Sequence, residues 1–374
     1  MIYNDFCGLK LSSLGFGTMR LPTINNDVAK IDENAVKKMV DYAISNGVNY
    51  FDTAWGYHMG ESENVMGRVL STYPRDSYYL ATKFPGYDVS NIGKNEKIFE
   101  KQLKKCKVDY FDFYLVHNVC EKNVNEYLDS SLGTVEYLIS EKKRGRIKHL
   151  GFSTHADFNN FKRFLDKYGE YMEFCQIQLN YLDYEFQNAK AKIEYLNKLG
   201  IPVWVMEPIR GGRLANLNEN ELNDIKGIRD ENHVALAFRF IQSFDSVKVV
   251  LSGMSDFTQV KENIKTFNTY APLSDEEFNK ILALGRKMTG SVPCTSCRYC
   301  VEYCPMGLDI PTLISLYNEQ VFSGGGFIVP MYLSTIDKSK HPSACIACGA
   351  CMSVCPQEIK IPEIFADFSK RLSK

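Results

Sequence analysis

Short runs of apolar residues recur at 14–18, 48–52, 78–83, 111–117, 149–153, 174–179, 202–206 and 247–252, each of strand length. Between them lie stretches in which apolar residues return every three to four positions. The clearest are 33–46, 95–106, 125–143, 158–168, 188–199, 233–244 and 256–267, and each reads as a helix with one buried face. Eight strand–helix units over about 270 residues match the count and length of an α/β chain folded as a (β/α)8 barrel. A doubly wound sheet would carry a Gly-rich turn after its first strand. Here Gly15-Phe-Gly17 runs into Thr-Met-Arg, so G-x-G-x-x-G is absent.

The pattern changes after the eighth unit. Ser274-Asp-Glu-Glu277 is a capping box and predicts a helix to about residue 288. Two cysteine runs follow. Cys294, Cys297, Cys300 and Cys304 read C-x2-C-x2-C-x3-C-P, and Cys345, Cys348, Cys351 and Cys355 repeat it. This is the ligand run of a protein with two 4Fe–4S clusters, in which the fourth cysteine of each run serves the other cluster. Zinc sites pair two C-x2-C knuckles and have no use for a third cysteine at the same interval. The halves also repeat beyond the ligands. Cys304-Pro-Met-Gly-Leu-Asp-Ile-Pro311 parallels Cys355-Pro-Gln-Glu-Ile-Lys-Ile-Pro362, and each leads into a helical stretch, at 312–321 and 363–372. The insert 305–344 resembles the spacing of α-helical ferredoxin domains. The expected organisation is a barrel over 1–272, a connector helix over 273–290 and a small, mostly helical ferredoxin-like 4Fe–4S domain over 291–374.

Composition narrows the function. A net charge of −1 leaves no basic stripe for nucleic acid and no polybasic patch for a membrane. No run approaches the ~20 apolar residues of a spanning helix, and residues 1–17 lack the plan of a signal peptide. Thiolates reserved for iron imply a reducing compartment, so a cytoplasmic location is expected. Cys7, Cys106, Cys120 and Cys175 are scattered and read as ordinary core or surface residues.

Active sites of such barrels lie at the C-terminal ends of the strands. Asp52 ends the second, Lys83 the third and His117 the fourth, and Tyr57 follows Asp52 in the loop above. Tyrosine has a pKa of ~10 and is a poor acid at neutral pH. A lysine held by an aspartate is expected to lower it, and a histidine to orient a substrate oxygen. Together the four would protonate a carbonyl that receives a hydride.

These residues carry a family resemblance. Phe51-Asp-Thr-Ala-Trp-Gly-Tyr57, Thr82-Lys83 and Leu115-Val-His117 resemble the catalytic tetrad of the aldo/keto reductases. Leu14-Gly-Phe-Gly-Thr-Met-Arg20 resembles their first strand, and Gly60-Glu-Ser-Glu63 with Gly67 the opening of their second helix. With its cysteine runs the whole chain is similar to the iron–sulfur branch of that family. The resemblance implies NADP(H) or NAD(H) lying across the barrel mouth. Gly17, Thr18 and Met19 would border it, Ser153 and Gln176 would hold the carboxamide, and Met206 stands where an aromatic residue stacks on the nicotinamide. The loop 208–214, with Pro208, Arg210 and Gly212, would wrap the pyrophosphate. Ser252, Gly253, Ser255, Gln259, Glu262 and Asn263 would hold the adenosine end, with a phosphate at the helix N-terminus. Arg210 and Arg213 are candidate anion binders, and His58 and His155 candidate mouth residues. His341 reads as a loop residue. The chain departs from the family at Thr154 in place of Asn, at Met206, and at Met254 and Gln259, where a lysine and an arginine are common; Lys261 is near but at a different position of the helical turn.

The expected function is an oxidoreductase that reduces a carbonyl or related small molecule, with electrons passing through two clusters. Hydride moves two electrons and a cluster moves one, so coupling calls for an intermediary. A flavin in the mouth, fed by a carrier such as ferredoxin, is one alternative; an electron-transfer or redox-sensing protein with an idle barrel is another. The intact tetrad favours the enzyme.

Overall fold

Eight parallel strands close into a barrel in sequence order: β1 Leu14–Gly17, β2 Tyr50–Asp52, β3 Tyr79–Phe84, β4 Phe111–Val119, β5 Ile147–Thr154, β6 Phe174–Gln178, β7 Val203–Met206 and β8 Val247–Gly253, with β8 pairing back to β1. This computed structural model describes residues 1–289, 292, 294 and 297–373. They fall into two compact units, Met1–Leu282 and Ala283–Lys374. Each strand lies within two residues of its expected bounds. The boundary expected at 290/291 lies outside the described residues, and the two units divide within the helix Asp275–Thr289.

Helices α1 Glu33–Ser45, α2 Ser62–Leu70, α3 Asn95–Cys106, α4 Thr134–Lys143, α5 Phe158–Tyr168, α6 Ala189–Leu199, α7 His233–Gln242 and α8 Phe257–Phe267 follow the strands. Side-chain caps fix several starts. Asp32, Asp157, Asn232 and Asp256 each accept a backbone N–H from the first turn of α1, α5, α7 and α8. The helix expected over 125–143 is two. Val124–Leu128 stops, the Ser131 N–H donates back to the Asp129 carboxylate, and Gly133 turns left-handed at φ 59° before α4 begins. Gly67 lets α2 lie against α3, because a Cβ there would fall 2.2 Å from the Lys105 carbonyl oxygen. The capping box at Ser274 and Glu277 forms as expected, with Ser274 N to Glu277 Oε2 at 2.8 Å and the return bond at 3.3 Å.

The barrel interior is filled by rings. Tyr50, Phe113, Phe174 and Trp204 are all fully buried, and Phe174 and Trp204 lie 4.5 Å apart between centroids. A hairpin, Tyr3–Phe6 with Leu9–Ser12, closes the N-terminal end and drives Phe6 into this cluster, 5.0 Å from Trp204. The other end is left open for chemistry. Among the described residues no helix is long and apolar enough to cross a membrane.

In the second unit, α9 Asp275–Thr289 enters and α10 Ile310–Ser323 packs against α11 Ile361–Leu372. Leu308, Ile310, Leu313, Ile314, Ile361, Phe365 and Phe368 form their buried core.

The hairpin plug can be weighed directly. Phe6→Ala should destabilise the barrel by about 3 kcal/mol, the usual cost of deleting a buried ring. A urea titration followed by far-UV circular dichroism should show the midpoint move accordingly, with the active-site residues unaltered.

Candidate active site and cluster centres

Barrel register brings the ionisable residues together. Asp52 ends β2 and pairs with Ala81, and Lys83 stands two residues further along β3. The fully buried Lys83 Nζ meets Asp52 Oδ1 at 2.5 Å, the Thr53 carbonyl at 2.8 Å and the Tyr57 hydroxyl at 3.4 Å. Tyr57 reaches it through a tight turn, Tyr57–Gly60, in which His58 (φ 53°) and Met59 (φ 55°) are both left-handed. The ammonium lies 4.9 Å from the Tyr57 ring centroid. His117, on β4, sets its ring edge-on to Tyr57 at 6.3 Å. Among the described residues, Asp52 Oδ2 and His117 Nδ1 are buried without a hydrogen-bond partner.

Electrostatics assigns protonation states. Burial pushes the Asp52 carboxyl up, and Lys83 opposes it. Burial would strip Lys83, but Asp52 and Tyr57 hold its proton more firmly than usual. Burial, reinforced by Lys83 and His155, takes His117 well below its ordinary value, so the ring is neutral at pH 7. Tyr57 corrects an expectation. Lys83 does pull its pKa down, yet burial outweighs that pull and the net shift is upward. The phenol therefore rests as a neutral acid.

A second buried network lies behind Lys83. Glu63, fully buried on α2, accepts from Thr82 Oγ1 at 2.7 Å, Gln102 Nε2 at 2.7 Å and Lys105 Nζ at 2.8 Å. Gln102 also donates to the Lys83 carbonyl at 3.0 Å, and Tyr114 donates to Gln102 Oε1 at 2.5 Å. This fixes the end of β3 and explains why Glu63 stands at the opening of α2.

The residues expected to hold a dinucleotide lie on or just after β1, β5, β6, β7 and β8 and on α8. Gly17, Ser252 and Gly253 lie side by side on β1 and β8. The Thr18 hydroxyl is buried on Asp52 O at 2.9 Å, whereas Met19 is exposed. Ser153 Oγ accepts the Asn118 N–H at 2.8 Å. Gln176 Nε2 donates to Met206 Sδ at 3.6 Å, and its Oε1 is buried without a partner among the described residues. Asn263 donates to Ser252 at 3.0 Å, and Ser255 N–H to Gln259 at 2.8 Å. Glu262 is exposed on α8. The loop after Pro208 winds through left-handed Arg210 (φ 47°), Gly211 (φ 61°) and Gly212 (φ 98°).

Several candidates are held by the protein itself. Arg210 Nε pairs with the buried Asp183 at 3.3 Å, and Arg213 pairs with Glu221. His58 is structural, since Nε2 accepts the Leu21 N–H at 3.1 Å and Nδ1 faces the Val28 carbonyl at 2.8 Å. Burial first, then Lys192, takes His155 down to about 4. His341 faces the Leu333 and Ile336 carbonyls and is a loop residue, as read. At the N-terminus of α8, Asp256 takes the Gln259 N–H at 2.9 Å. A carboxylate thus stands where a phosphate was expected.

Two mouth residues carried no sequence signal. Tyr87 sets its ring edge-on to His117 at 5.3 Å, and burial lifts its phenol to about 12. Glu207 follows β7 with φ 56°; burial raises its carboxyl against the pull of Arg20. Both depend on loop conformations that no local motif encodes.

The cysteines gather into two cavities in the second unit. Cys294, Cys297 and Cys300 share one with Cys355. Cys345, Cys348 and Cys351 share the other with Cys304. This is the crossed arrangement expected from the spacing. The backbone repeats with it. Arg298 (φ 66°) follows Cys297 as Gly349 (φ 75°) follows Cys348, and Gly307 (φ 58°) answers Glu358 (φ 52°) three residues past each fourth cysteine. Four thiols per cavity, with Ile314, Ile361 and Phe365 among the walls, fit the ligand set of a 4Fe–4S cluster.

Comparison with known proteins agrees. Residues 13–286 match the aldo/keto reductase family and residues 293–359 a 4Fe-4S dicluster domain. The chain belongs to the aldo/keto reductase family and carries a C-terminal 4Fe–4S dicluster domain; it is an oxidoreductase by family. It is 25% identical to L-galactose dehydrogenase of Arabidopsis thaliana over 69% of this chain and 84% of that protein. It is 26% identical to the NADH-specific methylglyoxal reductase of Escherichia coli over 70% and 91%. With a probable aldo-keto reductase of Glycine max it shares 32% identity over 39% of this chain and 42% of that one. The holo form of an aldo-keto reductase from Bacillus halodurans superposes with a TM-score of 0.61 at 25% identity, covering 76% of this chain and 95% of that one.

The cavities predict about eight irons and eight acid-labile sulfides per chain after anaerobic preparation. Cys304→Ala should damage the cluster of Cys345, Cys348 and Cys351 and spare the other. Mössbauer or EPR spectra showing loss of the cluster nearest in sequence would refute crossed ligation.

Proposed function

We propose that the barrel reduces a small carbonyl compound, with Tyr57 as proton donor. The observation that carries this reading is the buried Lys83 ammonium bonded to both Asp52 and Tyr57 beside a neutral His117. A nicotinamide, held by residues such as Ser153 and Gln176, would supply the hydride. The Tyr57 hydroxyl gives its proton to the carbonyl oxygen as negative charge gathers there. Lys83 stabilises the phenolate left behind, and Asp52 keeps Lys83 charged and pointed. His117 offers an N–H to the same oxygen and, being neutral, does not compete for the proton. Tyr87 narrows the approach to His117. The Gln176 Oε1 left without a partner suits a carboxamide N–H.

The adenosine end argues for NADH over NADPH. Asp256 caps α8, Gln259 folds onto Ser255, and Met254 is buried, so the residues standing where the family's lysine and arginine are common bring no positive charge to a 2′-phosphate. The two clusters would serve one-electron exchange with a carrier such as ferredoxin. Because hydride moves electrons in pairs, that exchange reaches the mouth only through an intermediary such as a flavin.

Tyr57→Phe should lower carbonyl reduction by ~10² to 10⁴ while leaving cofactor affinity nearly unchanged. Steady-state kinetics together with fluorescence titration of the cofactor decide it, and parental turnover in the variant would remove Tyr57 from the mechanism. NADH should bind about tenfold more tightly than NADPH, a difference of ~1.4 kcal/mol. The same titration measures it, and a preference for NADPH would count against this reading of α8. In stopped flow, NADH alone should bleach the broad cluster band poorly in flavin-free protein; rapid bleaching would remove the need for an intermediary.

A further inference from the structure

The closed end of the barrel carries a cluster of unlike donors that the reductase reading does not use. Phe6 pairs with Leu9 across a two-residue turn made of Cys7 (φ 48°) and Gly8 (φ 82°), both left-handed. The turn presents the exposed Cys7 thiol to the barrel floor. His149 stands near the start of β5, its ring stacked on Phe113 at 5.1 Å and edge-on to Phe6 at 5.0 Å. Glu173 lies one residue before β6. Its Oε2 accepts the Leu150 N–H at 3.1 Å and pairs with Lys142 at 2.6 Å, while Oε1 faces His149 Nδ1 at 3.2 Å. The donor atoms of Cys7, His149 and Glu173 all lie within 4.8 Å of one another.

We propose that Cys7, His149 and Glu173 bind a borderline-soft divalent transition-metal ion, Zn²⁺ foremost. The donors come from three separate segments: a hairpin turn, a strand and the residue leading into the next strand. Ligands about 2.0 to 2.3 Å from a tetrahedral zinc are about 3.6 Å apart, so the site closes by small side-chain movements. Sulfur and nitrogen donors disfavour Mg²⁺ and Ca²⁺, which want oxygen. Three protein ligands leave the fourth position to water, and the exposure of Cys7 gives the ion its way in. Lys142 keeps Glu173 Oε2 occupied, which turns Oε1 toward the ion. On binding, the S–H bond breaks, a sulfur–metal bond forms and the proton passes to solvent. The ion would pin the hairpin that carries Phe6 to the floor of the barrel, far along the strands from Lys83.

The test uses the full chain with its clusters loaded. After anaerobic dialysis against Zn²⁺ and removal of free metal, elemental analysis should find one zinc per chain beyond the iron. That zinc should be lost in Cys7→Ser, a substitution at an exposed turn. Zinc retained equally by the parent and Cys7→Ser, or absent from both, would overturn the site. A second readout is alkylation. Outside the cluster runs Cys7 is the exposed thiol, since Cys106, Cys120 and Cys175 are buried. Zn²⁺ should suppress carboxymethylation of the Cys7 peptide in mass spectra, Mg²⁺ should not, and a chelator should restore it. Glu173→Gln should weaken that protection. Alkylation indifferent to Zn²⁺ would equally refute the proposal.

Discussion

The buried ion pair between Lys83 and Asp52 is the constraint on which the barrel mouth turns. Both side chains are almost wholly removed from water. An isolated buried ammonium would cost several kcal/mol and would lose its proton instead. Lys83 keeps it because Asp52 lies at 2.5 Å and two further oxygens, Thr53 O and the Tyr57 hydroxyl, complete its bonds. The pair in turn dictates geometry. It requires β2 and β3 to be neighbours in register, a turn that folds Tyr57 back over the pair, and a rigid end to β3. Closure of the barrel supplies the first, left-handed His58 and Met59 the second, and the Glu63–Gln102 network the third.

In the proposed reaction the same pair accounts for a phenol with a raised pKa serving as the acid. A tyrosine already ionised at rest would have no proton to give. Here burial keeps Tyr57 protonated in the resting site, and Lys83 is placed to stabilise the phenolate only once the proton leaves. On that proposal, complementarity is directed at the charge distribution of the transition state and not of the resting enzyme.

Local pattern reveals whatever is decided locally. Strand bounds and the Ser274 capping box follow from periodicity and local motif, and the structure has both; the cysteine runs show in their spacing, and the four tetrad residues in a family resemblance. The errors lie where distant contacts decide. Residues 125–143 have helical periodicity throughout, yet Asp129 and Gly133 make a turn of their own. Arg210 and Arg213, read as anion binders, are each also paired with a carboxylate that lies far from them in sequence or a turn away, Asp183 and Glu221. His58 looks like a mouth residue until both ring nitrogens are found facing backbone groups. Tyr87 and Glu207 enter the mouth on loops whose course depends on packing elsewhere in the fold.

The cysteine unit shows a different kind of legibility. Among the described residues the ligands lie mostly in loops, with Cys300 in the short helix Tyr299–Glu302, and helix propensity says little about where they fall. Spacing decides instead. Three thiols within one turn of loop can face one cavity, while the fourth, followed by proline, is carried past it. Left-handed residues at matching places in both halves produce that geometry twice: Arg298 and Gly349, then Gly307 and Glu358. Only glycine adopts such angles freely, so Arg298 and Glu358 are held there by the fold around them. The crossing makes each cavity depend on both halves of the chain. Neither half can assemble a complete ligand set alone, so cluster binding and folding of this unit must be coupled. A core as small as the one around Ile361 and Phe365 gains from that coupling, because metal–thiolate bonds add what its limited apolar burial does not supply.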